Sequence, residues 1–511
     1  MSLPAFSYTY TNPIIPGFYP DPSICRVDSD YYIVNSTFQY FPGLPVWHSR
    51  DLVNWEQIGN AIDRESQMDL SGANGWGGLY APTIRYNDGI FYIINTNVSH
   101  GQNFFITATD PKGPWSDPIW LKQGGIDPSF YFEDGKCYFV SNPDAGIWLC
   151  EIDPVTGEQL TESKLLWRGT GGRHPEGPHI YKKDGWYYLL ISEGGTEHAH
   201  MITIARSKDI YGPYESNPDN PILTHCNFLG QSSPIQGTGH ADIVQAPDGS
   251  WWLVCLAFRP QSGMNHLTGR ETYLAPVSWD EGQWPIVNDN GTIQPVMEVK
   301  LPVSSDIPPQ RTWDVSYDFT KDQNLGFEWV YLRKKISENY SLSEKGLVLK
   351  GNQWDLNSIQ YPTFVARRQQ HINFETTSSM VLEAKEPGDK GGMTVFMDGG
   401  FHYDLYLEKT TDGYEIKLEY WLGSIHHVQP VVATSQNHVD FKITGSTYPY
   451  NFYYSLDGGE TYQHMGVAET RFLSSETAGG FTGIMLGLFA TGKGKPEAIF
   501  KSFTYTGNDR Y

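Results

Sequence analysis

Residues 127–142 read DPSFYFEDGKCYFVSN, two aromatic-rich runs hinged on Asp134-Gly135. Asp-Gly between such runs is a strong hairpin signal, because both central residues of a tight type I′ turn need positive φ. The arrangement recurs four more times, three times with Asp-Gly at the hinge and once, at Asp28, with Asp-Ser. The second strands are DSDYYIVNST from Asp28, NDGIFYIINT around Asp88, KDGWYYLLIS around Asp184 and PDGSWWLVCL around Asp248. The first strands are DPSICRV from Asp21, APTIRYN from Ala81, GPHIYKK from Gly177 and ADIVQAP from Ala241. Each first strand begins seven residues before its turn aspartate, so five hairpins share one register. The turn aspartates lie 60, 46, 50 and 64 residues apart, spacings that suit four-stranded blades with loop insertions. The expected fold is therefore all-β, with residues 1–300 forming a five-bladed β-propeller.

A third echo supports the blades. WHSRDLVNWEQ, TATDPKGPWSD and ARSKDIYGPYE share a strand, an Asp-containing turn and a closing aromatic, as outer hairpins of blades one, two and four would. Innermost strands line a propeller's channel. The five strand heads, Asp21, Ala81, Asp127, Gly177 and Ala241, should then converge on the axis, with Glu176 and His240 standing just before the last two. Residues 301–310, LPVSSDIPPQ, read as a linker. Beyond it, runs such as MTVFMDG, HYDLYLEK and YEIKLEYWL alternate at period two, and residues 311–511 read as a two-sheet β-sandwich.

A formal net charge of -22 leaves no basic footprint for nucleic acid. Five cysteines at 25, 137, 150, 226 and 255 form no CxxC pair, so disulfides and a zinc knuckle are not expected and a reducing compartment fits. MSLPAFSYTYTNP lacks the pattern of a leader, and no stretch is apolar enough to span a membrane. A cytoplasmic protein is expected.

Glycosidic hydrolysis needs one protonated and one ionised carboxyl group, and a third carboxylate can orient the acid and raise its pKa. Asp21, Asp127 and Glu176 supply that inventory. Asp-Pro is also an ordinary turn device, and propeller channels can carry acids that bind only water or calcium. His198 and His200 form an HxH that in a strand would share a face. Without a third ligand, surface or substrate-rim histidines fit better than zinc. The glycine-rich GTGGR at residues 169–173 precedes no helix, and no G-x-S-x-G is present. His426-His427 takes no role.

NPIIPGFYPDPSI, GGLYAPTI, GGIDPSFYFEDG, HPEGPHIY, SEGGTEHAHMITIARS, GTGHADIV and LTGRETYLAPVSW together resemble the two-domain β-xylosidases and α-L-arabinofuranosidases of glycoside hydrolase family 43. The resemblance runs over almost the whole chain and implies a concanavalin A-like jelly roll for the sandwich, closing the active site. It implies an inverting mechanism with Asp21 as general base, Glu176 as general acid and Asp127 as the acid's modulator and orienter. Arg270 would grip a sugar hydroxyl, and Phe38, Tyr80, Ala81 and Thr196 would line the pocket. Phe481 would be an aromatic inserted from the sandwich. His240 matches a channel histidine that contacts a hydrated calcium ion. No cofactor is required on this reading, with calcium optional. Tyr80 stands where the xylosidase pattern has Trp, which could favour an arabinofuranosyl group. The expected activity is exo-acting release of terminal xylose from β-1,4-xylooligosaccharides, with arabinoxylan fragments as further substrates. The alternatives are a main α-L-arabinofuranosidase activity, or a noncatalytic carbohydrate-binding protein. A homo-oligomer is left open.

Overall fold

A computed structural model describes residues 8–226, 233–300 and 308–509. Blade one is the antiparallel sheet Ser23–Val27, Asp30–Val34, Gly43–Ser49 and Glu56–Ile62. Four more blades follow, with innermost strands Thr83–Asn87, Ser129–Glu133, Glu176–Lys183 and Gln236–Gln245. The strand Tyr8–Thr11 pairs with Val296–Val299, tying the start of the described chain to the segment after blade five. Seven residues of the expected linker, 301–307, lie outside the described residues. Just after them, Tyr8 Oη donates to the Pro308 carbonyl (3.0 Å) and Thr11 N to the Gln310 side chain (2.9 Å).

The turn chemistry works as the residues dictate. Asp88 and Gly89 have φ of 49° and 83°, Asp134 and Gly135 49° and 75°, and Asp184 and Gly185 50° and 71°. Aspartate is one of the few non-glycine residues that tolerates this region. The fifth hairpin corrects the expected register. Gln245 pairs with Trp251, so a longer loop replaces the two-residue turn, with Gly249 N bonded to the Ala246 carbonyl (3.0 Å). Pro247, with its fixed negative φ and no N–H, favours that loop over a type I′ turn. The consequence is a shift by one residue. The head of blade five is His240, at φ 43° beside Asp21 (53°) and Asp127 (50°), and not Ala241.

One residue pair deeper, the blades are joined across the axis. Asp242 accepts from Ser23 Oγ (2.6 Å), Tyr181 Oη (2.6 Å) and Arg85 Nη1 (2.7 Å), while Arg85 Nη2 meets His179 Nδ1 (2.8 Å). Four blades contribute to this layer, and Asp242 is fully buried. The pairing with Arg85 offsets burial and holds the Asp242 carboxyl far below its usual pKa.

The sandwich stacks an eight-stranded sheet on a six-stranded one. Strands of the smaller sheet divide their side chains by the period-two rule. In Lys390–Asp398, Met393, Val395 and Met397 enter the sandwich core, while Phe396 points the other way. Phe396 joins Phe364, Tyr406 and Phe489 against Phe18, Phe38 and Tyr40 of the propeller. The inner strands of the six-stranded sheet, Thr363–Arg368, Met485–Thr491 and Lys390–Asp398, are thus covered on both faces, while its edge strand Ile425–Thr434 is largely exposed. Each ring so buried contributes roughly 1.5–3 kcal/mol. The domains also share a strand pair, Tyr331–Leu332 with Tyr40–Phe41, and an ion pair, Arg259 with Asp509 (2.7 Å).

Candidate active site

The strand heads bring the chemistry together. At Asp21 and Asp127 the left-handed backbone turns each aspartate at the channel mouth. In blade four the carboxyl comes from the preceding residue, Glu176, and the reason is steric. Gly177 sits at φ 59°, and a Cβ there would lie 3.0 Å from the His240 ring.

All ten residues singled out in the sequence line one cavity of about 100 Å³: Asp21, Asp127 and Glu176, their aromatic and polar neighbours, and His240. Ile126 and His200 complete it. A larger cavity of about 730 Å³ opens along the domain groove at Trp47 and Trp313, but none of the three carboxylates lines it.

Electrostatics separate the carboxyls. Burial alone would raise Asp21; the Arg270 guanidinium at 3.2 Å, His240 and the Ser36 hydroxyl outweigh it and hold Asp21 below the ordinary aspartate value. Glu176 is pushed up to about 7, first by burial and then by the Asp21 charge. Asp127 is pushed up to about 8 by burial, with Glu176 and Asp21 adding to the shift. The charge that repels a proton-free Glu176 therefore comes first from Asp21. Burial and the neighbouring charges favour the neutral form of Asp127, which accepts from the Gly177 N–H, the backbone beside Glu176. Two carboxyls pushed apart in one pocket are what acid–base chemistry needs.

Arg270 is held on three sides. Nη1 donates to Asp21 and to Thr196 Oγ1 (2.8 Å), and Nη2 donates to the Phe481 carbonyl (3.1 Å). Its guanidinium stands 5.6 Å from the Phe38 ring and 5.5 Å from the Phe481 ring. Phe38, Tyr80 and Phe481 form an aromatic wall with ring centroids 5.2–5.8 Å apart. Phe481 is only partly buried and packs on the interdomain cluster, so a sandwich residue forms part of the pocket.

Sequence reasoning missed His200. Its HxH lies in a turn, not a strand, and the two rings part. His198 packs edge-on to Phe258, while His200 is buried with Nε2 3.7 Å from Glu176 Oε1. It is neither a surface nor a rim residue. Burial keeps it neutral, with a pKa of about 3. The only local signal was Gly239, where a Cβ would come within 2.0 Å of the His200 ring.

Calcium takes six to eight oxygen ligands. His240 offers nitrogen, and Asp127, the carboxylate nearest to it, stands 3.9 Å away. Among the described residues no group of three or more His, Cys, Asp or Glu side chains is placed to hold a metal. The donor set does not fit a calcium ion held directly by the protein.

Comparisons with known proteins agree with this architecture. The model described as "Glycosyl hydrolases family 43" matches residues 10–285, and that of the "Beta xylosidase C-terminal Concanavalin A-like domain" matches residues 316–506. The non-reducing end alpha-L-arabinofuranosidase BoGH43B of Bacteroides ovatus is 40% identical over 499 residues, covering 95% of this chain and 92% of the relative. A xylosidase/arabinosidase of Butyrivibrio fibrisolvens is 38% identical, over 97% and 98% of the two chains. The crystal structure of xylan beta-1,4-xylosidase from Bacillus halodurans superposes with a TM-score of 0.91 at 34% identity, over 97% of this chain and all of that one.

Proposed function

The chain belongs to glycosyl hydrolases family 43 and is a glycoside hydrolase, and from that premise we propose that it removes single terminal pentose units, xylose foremost, from β-1,4-xylooligosaccharides and arabinoxylan fragments by inversion. The observation that carries this reading is the pocket of about 100 Å³, lined by a depressed and a raised carboxyl and closed beneath by the Arg85–Asp242 layer. A pocket with one mouth takes a chain end. Asp21 removes a proton from water, whose oxygen bonds to C1. The C1–O bond breaks, and the leaving oxygen takes the Glu176 proton. Arg270 holds the sugar and keeps Asp21 ionised. Asp127 and His200 orient the acid. Redox chemistry has no place in this sequence of steps, and none of them runs through a metal.

Proton NMR of the first-formed sugar tests the mechanism: the anomeric configuration is expected to be inverted, and a retained product overturns it. The second activity, α-L-arabinofuranosidase, is favoured by Tyr80. That ring is smaller than the indole of the xylosidase pattern, and its hydroxyl is tied back to the Trp76 carbonyl (2.7 Å). Tyr80→Trp is expected to raise the ratio of xylosidase to arabinofuranosidase kcat/KM, read on the two 4-nitrophenyl glycosides. An unchanged or lowered ratio refutes the assignment.

The pH profile follows from the two carboxyls. Glu176 must be protonated, so kcat/KM on xylobiose is expected to fall as pH rises through about 7. Asp21 must be ionised, and its lowered pKa places the acid limb below the ordinary aspartate range. Glu176→Ala should cost roughly 10²–10⁴-fold on xylobiose. On a nitrophenyl glycoside, whose leaving group barely needs a proton, the cost should be much smaller and the alkaline limb should vanish. A limb that persists in this variant assigns the acid elsewhere.

A further inference from the structure

The glycine-rich segment GTGGR, residues 169–173, wraps a carboxylate that belongs to the chain itself. Glu193, the last residue of the strand Trp186–Glu193, is fully buried. Its Oε1 accepts from Thr170 N (3.0 Å) and Gly172 N (2.9 Å). Its Oε2 accepts from Thr170 Oγ1 (3.1 Å) and Thr203 Oγ1 (2.6 Å). Backbone amides and hydroxyls, and no cation, are its bonding partners among the described residues. Gly169 and Gly171 take φ of 74° and 100°, turns that aim neighbouring N–H groups at one point. A Cβ on Gly169 would come within 2.5 Å of Glu193 Oε1, and one on Gly172 within 2.9 Å of Glu193 Cβ. Without the carboxylate, the two amides aimed at it lose their acceptor.

The loop runs straight toward the acid. Arg173 follows Gly172, and Glu176 comes three residues later. The Arg173 carbonyl accepts from Gly194 N (2.7 Å), next to Glu193, and the Pro175 carbonyl accepts from Asn142 Nδ2 (3.1 Å). Arg173 Nη2 donates to the Gly194 carbonyl (3.1 Å) and to Glu197. On the other side of Glu193, Ser192 pairs across the sheet with Glu176, and its hydroxyl accepts from His240 N (2.6 Å). The segment before Glu176 is therefore fastened to the strand that ends in Glu193.

Inside the pocket Glu176 faces Asp21, Asp127, Arg270, Tyr80 and His240, with His200 at 3.7 Å. At the rim it faces Arg173 and Glu197. Burial first and the Asp21 charge second favour its protonated form. Arg270 and Arg173 oppose them, and Glu197 works against Arg173.

We propose that Glu193 is a positioning residue for the general acid: it is the internal anion on which the glycine loop is wound, and through that loop it fixes Arg173 and the approach to Glu176. The proposal rests on Glu176 being the acid, as read above, and adds a residue that lies outside the pocket.

In Glu193→Ala, kcat on xylobiose is expected to fall about tenfold more than kcat on 4-nitrophenyl β-D-xyloside, with KM little changed. A misplaced acid matters only where the leaving oxygen needs its proton. Glu193→Gln should keep the ratio of the two rates within about threefold of wild type. Its Oε1 can still accept from both amides, and its Nε2 can donate to both hydroxyls. Arg173→Met should move the alkaline limb of kcat/KM on xylobiose upward by about 0.3 pH unit, a small change because the guanidinium is 55% exposed. Made in the Glu193→Ala background, the same substitution should move the limb no further. If Glu193→Ala yields no folded protein, Gly169→Ala decides, since its methyl strikes Glu193 Oε1 and should lower the same ratio. An equal loss on both glycosides makes Glu193 a general support of the fold and overturns the proposal. A limb that Arg173→Met leaves unmoved in the wild type, or moves equally in both backgrounds, overturns it too. An alkaline limb that persists in Glu176→Ala instead fails the parent reading, whatever Glu193 does.

Discussion

Replacing Asp21 with alanine is expected to lower kcat on 4-nitrophenyl β-D-xyloside by about four orders of magnitude, the upper end of what a general base supplies. A good leaving group gives no relief, because the attacking water still has to lose its proton. The substitution also frees the Arg270 guanidinium and the Ser36 hydroxyl, both of which now bond to Asp21. Asp21→Asn is therefore the cleaner partner variant: it keeps a residue that tolerates φ of 53° and an oxygen for Arg270, but cannot take the proton. Both variants should be inactive with native circular dichroism. Azide attacks without giving up a proton, so it should restore part of the rate to Asp21→Ala and yield a glycosyl azide. Activity within about tenfold of wild type in Asp21→Asn would move the base elsewhere.

The second large effect is expected from removing residues 311–511. A propeller with its own interblade cores should in principle fold alone. Here, however, the truncation uncovers Phe18, Phe38 and Tyr40, leaves the Tyr40–Phe41 strand without its partner and takes away the Phe481 carbonyl from Arg270. Three rings returned to water cost roughly 5–9 kcal/mol, which is the size of a whole domain's stability. The fragment is expected to lose nearly all activity and to melt at a markedly lower temperature, or to aggregate through the exposed patch. Phe481→Ala in the full chain isolates the pocket from the fold. It should reduce kcat/KM about tenfold with an unchanged circular dichroism spectrum, since the ring borders the sugar and its backbone carbonyl survives the change. A monodisperse 1–310 fragment with full activity would show that the propeller builds the pocket unaided.

The parts of this protein that were legible in its sequence are those governed by local backbone chemistry. Asp-Gly pairs set the tight turns of three blades, and the shared spacing carries the pattern to the others, so the blades and the convergence of Asp21, Asp127 and Glu176 could be read directly. The fifth blade slipped by one residue because a single proline, Pro247, changes the kind of turn, and the slip placed His240 at the strand head. His200 was opaque for a different reason: a turn has no period, so nothing in HAH says which ring faces inward. The electrostatic part was also hidden. Repulsion looked like the work of Asp127, yet burial drives that group neutral, a consequence of depth that composition does not carry. The interdomain surface was partly visible and easily misread. In MTVFMDG the face opposite Met393, Val395 and Met397 still carries Phe396, and only the propeller lying across it explains that ring. The inserted Phe481 came from motif resemblance, not from any pattern of its own.

The buried layer of Ser23, Arg85, His179, Tyr181 and Asp242 has a kinetic meaning. A propeller axis open at both ends would let a polymer thread through and be shortened repeatedly without dissociating. With the axis plugged by hydrogen-bonded side chains, the freed pentose lies at the bottom of a blind shaft, behind the shortened chain. Release is therefore expected to be ordered, chain first and monosaccharide second, with every catalytic cycle beginning from an empty enzyme. The accumulating monosaccharide would compete for the same blind end as the next substrate, and the rate of a long digestion would then be governed by how fast its own product is carried away.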